Sequence, residues 1–88
     1  MASVWVPATM QHLTRGEAVV QALGQTVREV VANLDQAYPG LQAAIVHDDG
    51  RLRPGVAVAV DGYLTSLGLF QRVAEGSDIQ FVPAIGGG

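Results

Sequence analysis

The 88-residue sequence contains no cysteine and no lysine. Without cysteine, the chain can form no disulfide and offers no thiolate for zinc, for an iron–sulfur cluster or for nucleophilic catalysis. Its five basic residues are all arginine, scattered along the chain and outnumbered by eight acids, which gives a net charge of −3. Binding to nucleic acid is not expected, because contacts to phosphates require a basic face.

Charged residues make up only 15% of the chain and aromatic residues 6%, whereas apolar residues make up 49%. This composition is too apolar for intrinsic disorder. No apolar run approaches the roughly 20 residues of a membrane span, and the N-terminus lacks a basic region followed by an apolar stretch. We therefore predict one small cytoplasmic domain with no membrane segment.

Few residues offer catalytic chemistry. His12 and His47 lie far apart in turn-like segments, where a single histidine is usually solvated. Asp48-Asp49-Gly50 has the composition of a turn. No serine or threonine stands in a nucleophile elbow, and the glycines between Gly62 and Gly68 fit neither a dinucleotide fingerprint nor a phosphate loop. The sequence thus predicts a protein that is not an enzyme and that holds no metal and no bound cofactor.

One helix is well marked in the sequence. Thr26 and Glu29 have the spacing of a capping box, in which the hydroxyl accepts from the Glu29 amide and the carboxylate reaches back. Apolar residues then recur on one helical face, and Tyr38-Pro39-Gly40 ends the pattern. Strands are predicted around this helix from alternation and turn residues. The predicted elements are strands Ser3–Met10, Val56–Val60 and Ile79–Val82, a strand or short helix Glu17–Leu23, helix Thr26–Tyr38, a helical turn or brief strand Leu41–Val46, and a loop with a helical turn Leu64–Val73.

A single main helix can cover only one face of a sheet, so the pattern predicts a two-layer α+β fold. The first and last strands are both apolar and are best placed side by side and parallel in the middle of a mixed sheet of four to five strands. This arrangement is the β-grasp. Residues 1–83 would form the domain, and residues 84–88 a flexible glycine-rich tail. The predicted core is Val27, Val30, Val31, Leu34, Val58, Val60, Ile79 and Phe81.

Three glycines, Gly86, Gly87 and Gly88, follow the last strand and Pro83. One interpretation is an inert flexible end or an expression remnant. The other is that the terminal carboxylate is itself the reactive group. Glycine then has a purpose, because it leaves a narrow channel unobstructed and permits backbone angles that are closed to other residues.

The segment Asp78–Gly88 resembles the signature tail of the ThiS/MoaD family of ubiquitin-like sulfur-carrier proteins. Similarity extends to Thr26–Gly40, to Asp49–Leu52 and to Val56–Gly62, so that it covers essentially the whole chain. Within the family, the chain is most similar to carriers that serve cysteine synthesis or secondary metabolism. That subgroup likeness lies in Val6–Met10, Tyr38-Pro39-Gly40 and Val82–Ile85.

The resemblance implies that an E1-like adenylating enzyme of the ThiF/MoeB kind activates the terminal carboxylate with ATP, which the carrier itself does not bind. A sulfur donor, either sulfide or a persulfide enzyme, would convert the adenylate into a thiocarboxylate, and a sulfur-accepting synthase would consume it. Gly88 would carry the adenylate and then the sulfur. Four residues would thread into the partner: Ala84, Ile85, Gly86 and Gly87. The resemblance leaves the acceptor open among the cysteine, thio-metabolite, molybdopterin and thiamine pathways.

Two departures from the family pattern stand out. Gly86 occupies a position where many relatives have alanine, and Leu64–Val73 lacks the acidic character expected of that loop.

Two other functions stay open: a ubiquitin-like modifier joined through Gly88 to target lysines, and a plain binding module. Trp5 would either cover neighbouring strands on the open face of the sheet or form a docking surface for the partner with Val82 and Pro83.

Overall fold

The computed structural model describes residues 1–83, and within them a five-stranded mixed sheet packs against helices on one face. The elements run in the order β1 (Ala2–Trp5), a 3₁₀ helix (Ala8–Thr14), β2 (Val19–Ala22), α1 (Val27–Ala37), α2 (Leu41–Ile45), β3 (Val56–Val60), β4 (Tyr63–Leu64), a second 3₁₀ helix (Gly68–Phe70) and β5 (Asp78–Pro83). The strands lie in the order β2-β1-β5-β3-β4. Strands β1 and β5 are parallel neighbours at the centre, and all other pairs are antiparallel. The predicted ubiquitin-like β-grasp is therefore confirmed.

Helix α1 begins and ends where the sequence indicated. The Thr26 hydroxyl accepts from the Glu29 amide at 3.2 Å, and the Glu29 carboxylate accepts from the Gln25 amide at 3.1 Å. Four residues on one face of the helix are fully buried against the sheet: Val27, Val30, Val31 and Leu34. Of the two alternatives for the next segment, the helical one is correct. Asp35 stabilises the start of α2, since its carboxylate accepts from the backbone amides of Gly40 and Gln42.

The first predicted strand is too long. Strand β1 ends at Trp5, and Pro7 starts a 3₁₀ helix that was predicted as the end of the strand and a polar turn. Proline has no N–H to continue a ladder, whereas its carbonyl accepts from the Met10 amide at 2.8 Å and closes the first helical turn. The chain then returns as β2, antiparallel to β1 as predicted.

A short strand was missed. Tyr63 and Leu64 form β4, antiparallel to β3, although Leu64 was assigned to a loop. Asp61 and Gly62 make the connecting two-residue turn with φ angles of 52° and 88°. Positive φ at both positions fits a type I′ turn, whose twist matches that of the flanking strands. Strand β4 thus becomes one edge of the sheet.

The core lies between the sheet and the two α-helices. Every predicted core residue is buried except Val60, which is half-buried and packs against the core cluster. No helix among residues 1–83 is long and apolar enough to cross a membrane.

Candidate docking face and tail exit

No helix of the described residues 1–83 packs on one face of the sheet, and the register shows which side chains this face presents. Three central strands each have a side chain that points toward the helices and is almost completely buried: Val4 in β1, Ile79 in β5 and Val58 in β3. The residue that follows each of them along its strand must point the other way, because successive side chains on a strand alternate between faces. This uncovered side is the open face.

The register places one row of side chains straight across the open face. Trp5 pairs with Val19 on one side and with Gln80 on the other, Gln80 pairs with Ala59, and Ala59 pairs with Leu64. The row contains one residue from each of the five strands, and four of the five are apolar. Three of its large side chains are well exposed: Val19 at 37%, Trp5 at 46% and Leu64 at 71%. We call these five residues the Trp5 row.

The open face has a polar end and an apolar end. Two residues from the Trp5 row on the same face lies Ser3, which pairs with Gln21 on one side and with Asp78 on the other. The Gln21 side-chain amide donates to the Ser3 hydroxyl at 3.3 Å. On the other side of the Trp5 row, Ala57 and Val82 are paired. The apolar half of the face is therefore the half nearest the end of β5.

Strand β5 ends beside a small apolar groove. Pro83 is the last residue of β5 and pairs with Val56 of β3. The groove has a volume of about 130 Å³, and its lining comes from the first 3₁₀ segment, from the start of β3 and from the end of β5. Its residues are Pro7, Thr9, Met10, Gly55, Val56, Phe81 and Val82. An apolar groove therefore adjoins the end of β5.

The predicted site residues divide into two groups. Trp5 and Val82 lie on the open face, as expected, though on a diagonal, because Gln80 is the direct neighbour of Trp5 in β5. Pro83 is the last residue of β5. The predicted tail residues Ala84, Ile85, Gly86, Gly87 and Gly88 lie outside the described residues.

Sequence reasoning missed Leu64 and Val19 as members of this surface. The signal for Leu64 was present in Asp61-Gly62, a hairpin turn pair between Val60 and Tyr63, because a two-residue hairpin fixes which residues face each other. Val19 could be found only through the register of β2 against β1, which apolar alternation alone does not give.

The charged loop before β3 is a structural turn. The Asp49 carboxylate accepts from the Arg51 amide at 3.0 Å, and this hydrogen bond, with smaller contributions from the nearby charges of His47 and Arg51, holds the pKa of Asp49 below its ordinary value. His47 lies 3.4 Å from the same carboxylate through Nδ1. Among residues 1–83, no three histidine or acidic side chains come together in a way that could hold a metal ion. The loop thus offers hydrogen bonds to its own backbone and no assembled catalytic group.

Comparison with known proteins agrees with this geometry. The sulfur carrier protein CysO of Mycobacterium tuberculosis is 28% identical to this chain over 90 residues, which cover 98% of this chain and 97% of the relative. The crystal structure of the Amycolatopsis orientalis BexX/CysO complex contains a chain that superposes with a TM-score of 0.89 at 28% identity, covering 100% of both chains.

A more distant likeness concerns the fold alone. The crystal structure of SAMP1 from Haloferax volcanii superposes with a TM-score of 0.73 at 24% identity, over 99% of this chain and 98% of that one. The sequence model of the ThiS family, by contrast, matches residues 4–88, nearly the entire chain. This chain belongs to the ThiS family.

Proposed function

We propose that this chain is a sulfur carrier, in which the carboxylate of Gly88 is adenylated by a partner enzyme and converted into a thiocarboxylate. One observation supports this most directly. The family match runs through the terminal glycines, and strand β5 delivers that segment from the apolar end of an uncovered sheet face. Such chemistry requires a carrier with a folded body that binds the partner enzyme. It also requires a C-terminal end without bulky side chains that can enter the active site of that enzyme.

The reaction balances without any catalytic group of the carrier. An oxygen of the Gly88 carboxylate attacks the α-phosphorus of ATP, and pyrophosphate leaves. Hydrosulfide then attacks the carbonyl carbon of the acyl-adenylate, AMP leaves and a proton is released. The product is a thiocarboxylate, whose sulfur is nucleophilic and is available to an acceptor enzyme.

The tail is long enough for this task. Residues 84–88 span at most about 17 Å when extended, so Gly88 can enter a channel while the domain stays outside. Glycine at the last three positions keeps the reaching segment narrow, because no Cβ projects from it. The docking contacts must then come from the body near the tail exit, where the apolar half of the open face lies.

The decisive experiment is intact mass analysis after thiol alkylation. The chain would be incubated with ATP, sulfide and the adenylating enzyme of the same organism, and then treated with an alkylating reagent. Since the chain has no cysteine, a label on the C-terminal peptide identifies a thiocarboxylate. Alkylation is needed because the oxidation of either methionine nearly matches the mass change of replacing oxygen by sulfur.

A variant without Gly87 and Gly88, which ends in Ile85-Gly86, is the matched control and should take no label. An unlabelled wild-type chain, with an enzyme shown to be active on a known carrier, would contradict the proposal. If a stable amide adduct to target lysines formed instead, the modifier alternative would be correct. The absence of lysine already prevents the chain from forming lysine-linked polymers of itself.

Trp5→Ala tests the docking role of the open face. Trp5 is about half exposed, so a partner can cover the exposed half of its ring, and a central aromatic residue at an interface often dominates binding. We expect the KM for the carrier in the adenylation assay to rise about tenfold, which corresponds to about 1.4 kcal/mol. The free energy of unfolding, measured with urea, should change by less than that amount. An equal loss of binding and stability would show that Trp5 only covers its neighbours.

A further inference from the structure

Three of the most exposed large apolar side chains lie together at the β4 edge of the sheet. Tyr63 is 80% exposed, Phe70 is 72% exposed and Leu67 is 57% exposed. Tyr63 belongs to β4, and the other two lie just before and at the end of the second 3₁₀ helix. We call these three residues the edge patch.

The edge patch is continuous and meets the open face. Leu67 lines two adjoining surface depressions, one shared with Tyr63 and Leu64 and the other shared with Phe70 and Leu52. Leu64 is the last member of the Trp5 row. Apolar side chains therefore follow one another from the open face around the β4 edge to the loop beyond it, with polar residues such as Thr65, Ser66 and Gln71 between them.

Local hydrogen bonds fix the shape of the segment that carries the edge patch. The Thr65 hydroxyl donates to the Gln71 side-chain oxygen at 2.6 Å and accepts from the Leu67 amide at 3.0 Å. The Phe70 amide donates to the Leu67 carbonyl at 3.0 Å. Because the loop is already ordered by its own contacts, a partner would lose little entropy in binding to it.

The exposed area decides between a second copy and a different partner. An aromatic side chain buries about 150–250 Å² when it is covered, so Tyr63 and Phe70 together offer roughly 230–380 Å² at their observed exposure. Even with Leu64 and Leu67, two copies meeting here would bury less than the roughly 1,200–2,000 Å² of a stable interface. Each copy also carries a net charge of −3, which opposes self-association. The edge patch is therefore better explained as one part of a larger interface with a different protein.

We propose that the adenylating enzyme that docks on the open face extends around the β4 edge and covers Tyr63, Leu67 and Phe70. This inference rests on the proposed function and adds a second recognition surface to it. Continuity through Leu64 allows one partner to cover both surfaces. A terminal carboxylate is common to all proteins, so the enzyme needs contacts beyond that group, with the tail and with the folded body, to select its carrier. An exposed pair of aromatic residues suits that purpose, because aromatic side chains dominate the energetics of interfaces.

The test measures pyrophosphate release from ATP as a function of carrier concentration, with the adenylating enzyme of the same organism. Phe70→Ala and Tyr63→Ala should each raise the KM for the carrier about tenfold and leave kcat unchanged. The double variant should raise it further. Leu23→Ala is the matched control, because Leu23 is 60% exposed but follows β2, at the opposite edge of the sheet. The control should retain the wild-type KM.

Thermal melts of the two single variants, the double variant and the control separate a loss of recognition from a loss of folding. Leu67→Ala supplies another patch variant if one of the patch variants fails to fold. Variants with the wild-type KM would overturn the inference and leave the proposed function standing. If Phe70→Ala instead abolished a wild-type self-association seen by sedimentation equilibrium, the second copy would be the occupant and the inference would be wrong. If the wild-type chain released no pyrophosphate and took no thiol label, the proposed function would itself fail.

Discussion

At the scale of single residues, Asp61 connects the β3–β4 turn to the start of β5. Its carboxylate accepts from the Ser77 hydroxyl at 3.1 Å and from the Asp78 amide at 2.9 Å, and its own amide donates to the Asp78 carbonyl at 2.8 Å. Ser77 is buried, so its hydroxyl depends on this partner. Asp61 also adopts φ 52°, a conformation that aspartate tolerates better than most residues. One side chain therefore satisfies two donors and suits an unusual backbone conformation.

Asp61→Ala should lower the free energy of unfolding by about 1–3 kcal/mol, because two donors lose their acceptor and the left-handed backbone becomes strained. Asp61→Asn should cost less than half of that, since it tolerates the same φ and keeps one acceptor. Urea denaturation with an unchanged m-value provides the measurement. An alanine variant within about 0.5 kcal/mol of wild type would show that water replaces the carboxylate without loss.

At the scale of elements, the cap of helix α1 deserves a direct test. Thr26 satisfies the Glu29 amide, and removal of this hydroxyl leaves an unpaired donor at the helix start. We expect Thr26→Ala to destabilise the domain by about 1 kcal/mol and Thr26→Ser to be close to neutral. Thermal unfolding of both variants at one protein concentration measures the difference. If the two variants were equally stable, the Thr26 hydroxyl would contribute nothing to the stability of the helix start, and packing alone would account for it.

The elements also show how far the sequence alone could be interpreted. Helix α1 was predictable because its cap, its apolar face and its Tyr38-Pro39-Gly40 end agree with one another. The parallel pairing of β1 with β5 followed from their apolar character and from the single helix that covers the sheet. Strand β4 was not predictable from periodicity, since two exposed residues provide no alternation. The end of β1 was missed because Val6 continues the alternation, while Pro7 starts the 3₁₀ helix instead.

The candidate site was predictable only in part, for a related reason. A single sequence shows which residues alternate on one strand, and so it placed Trp5 and Val82 on one face. Except across a two-residue hairpin such as the one at Asp61-Gly62, it does not show which residues of different strands stand opposite each other. The Trp5 row depends on four pairings between strands, and the edge patch depends on how the second 3₁₀ helix packs beside β4. Both surfaces become visible only when the sheet is assembled.

At the scale of the whole molecule, the fold and the proposed chemistry occupy separate parts of the chain. Within residues 1–83, the buried core residues lie at or before Phe81, and Pro83 is the last described residue of the sheet ladder. Nothing in the core packing of residues 1–83 requires the last two glycines. Stability and reactivity should therefore respond independently to changes at the C-terminus.

Deletion of Gly87 and Gly88 tests this separation. We expect the free energy of unfolding to stay within about 0.5 kcal/mol of wild type, the usual range for changes away from the core, and the thiol label to disappear completely. The truncated chain should compete with the full-length chain for the adenylating enzyme, because its docking surfaces remain intact. Its inhibition constant should therefore be close to the KM of the full-length chain. A truncated chain that no longer competes would place most of the binding energy in the tail. That result would contradict the docking roles assigned to the open face and the edge patch, since both lie wholly within the folded body.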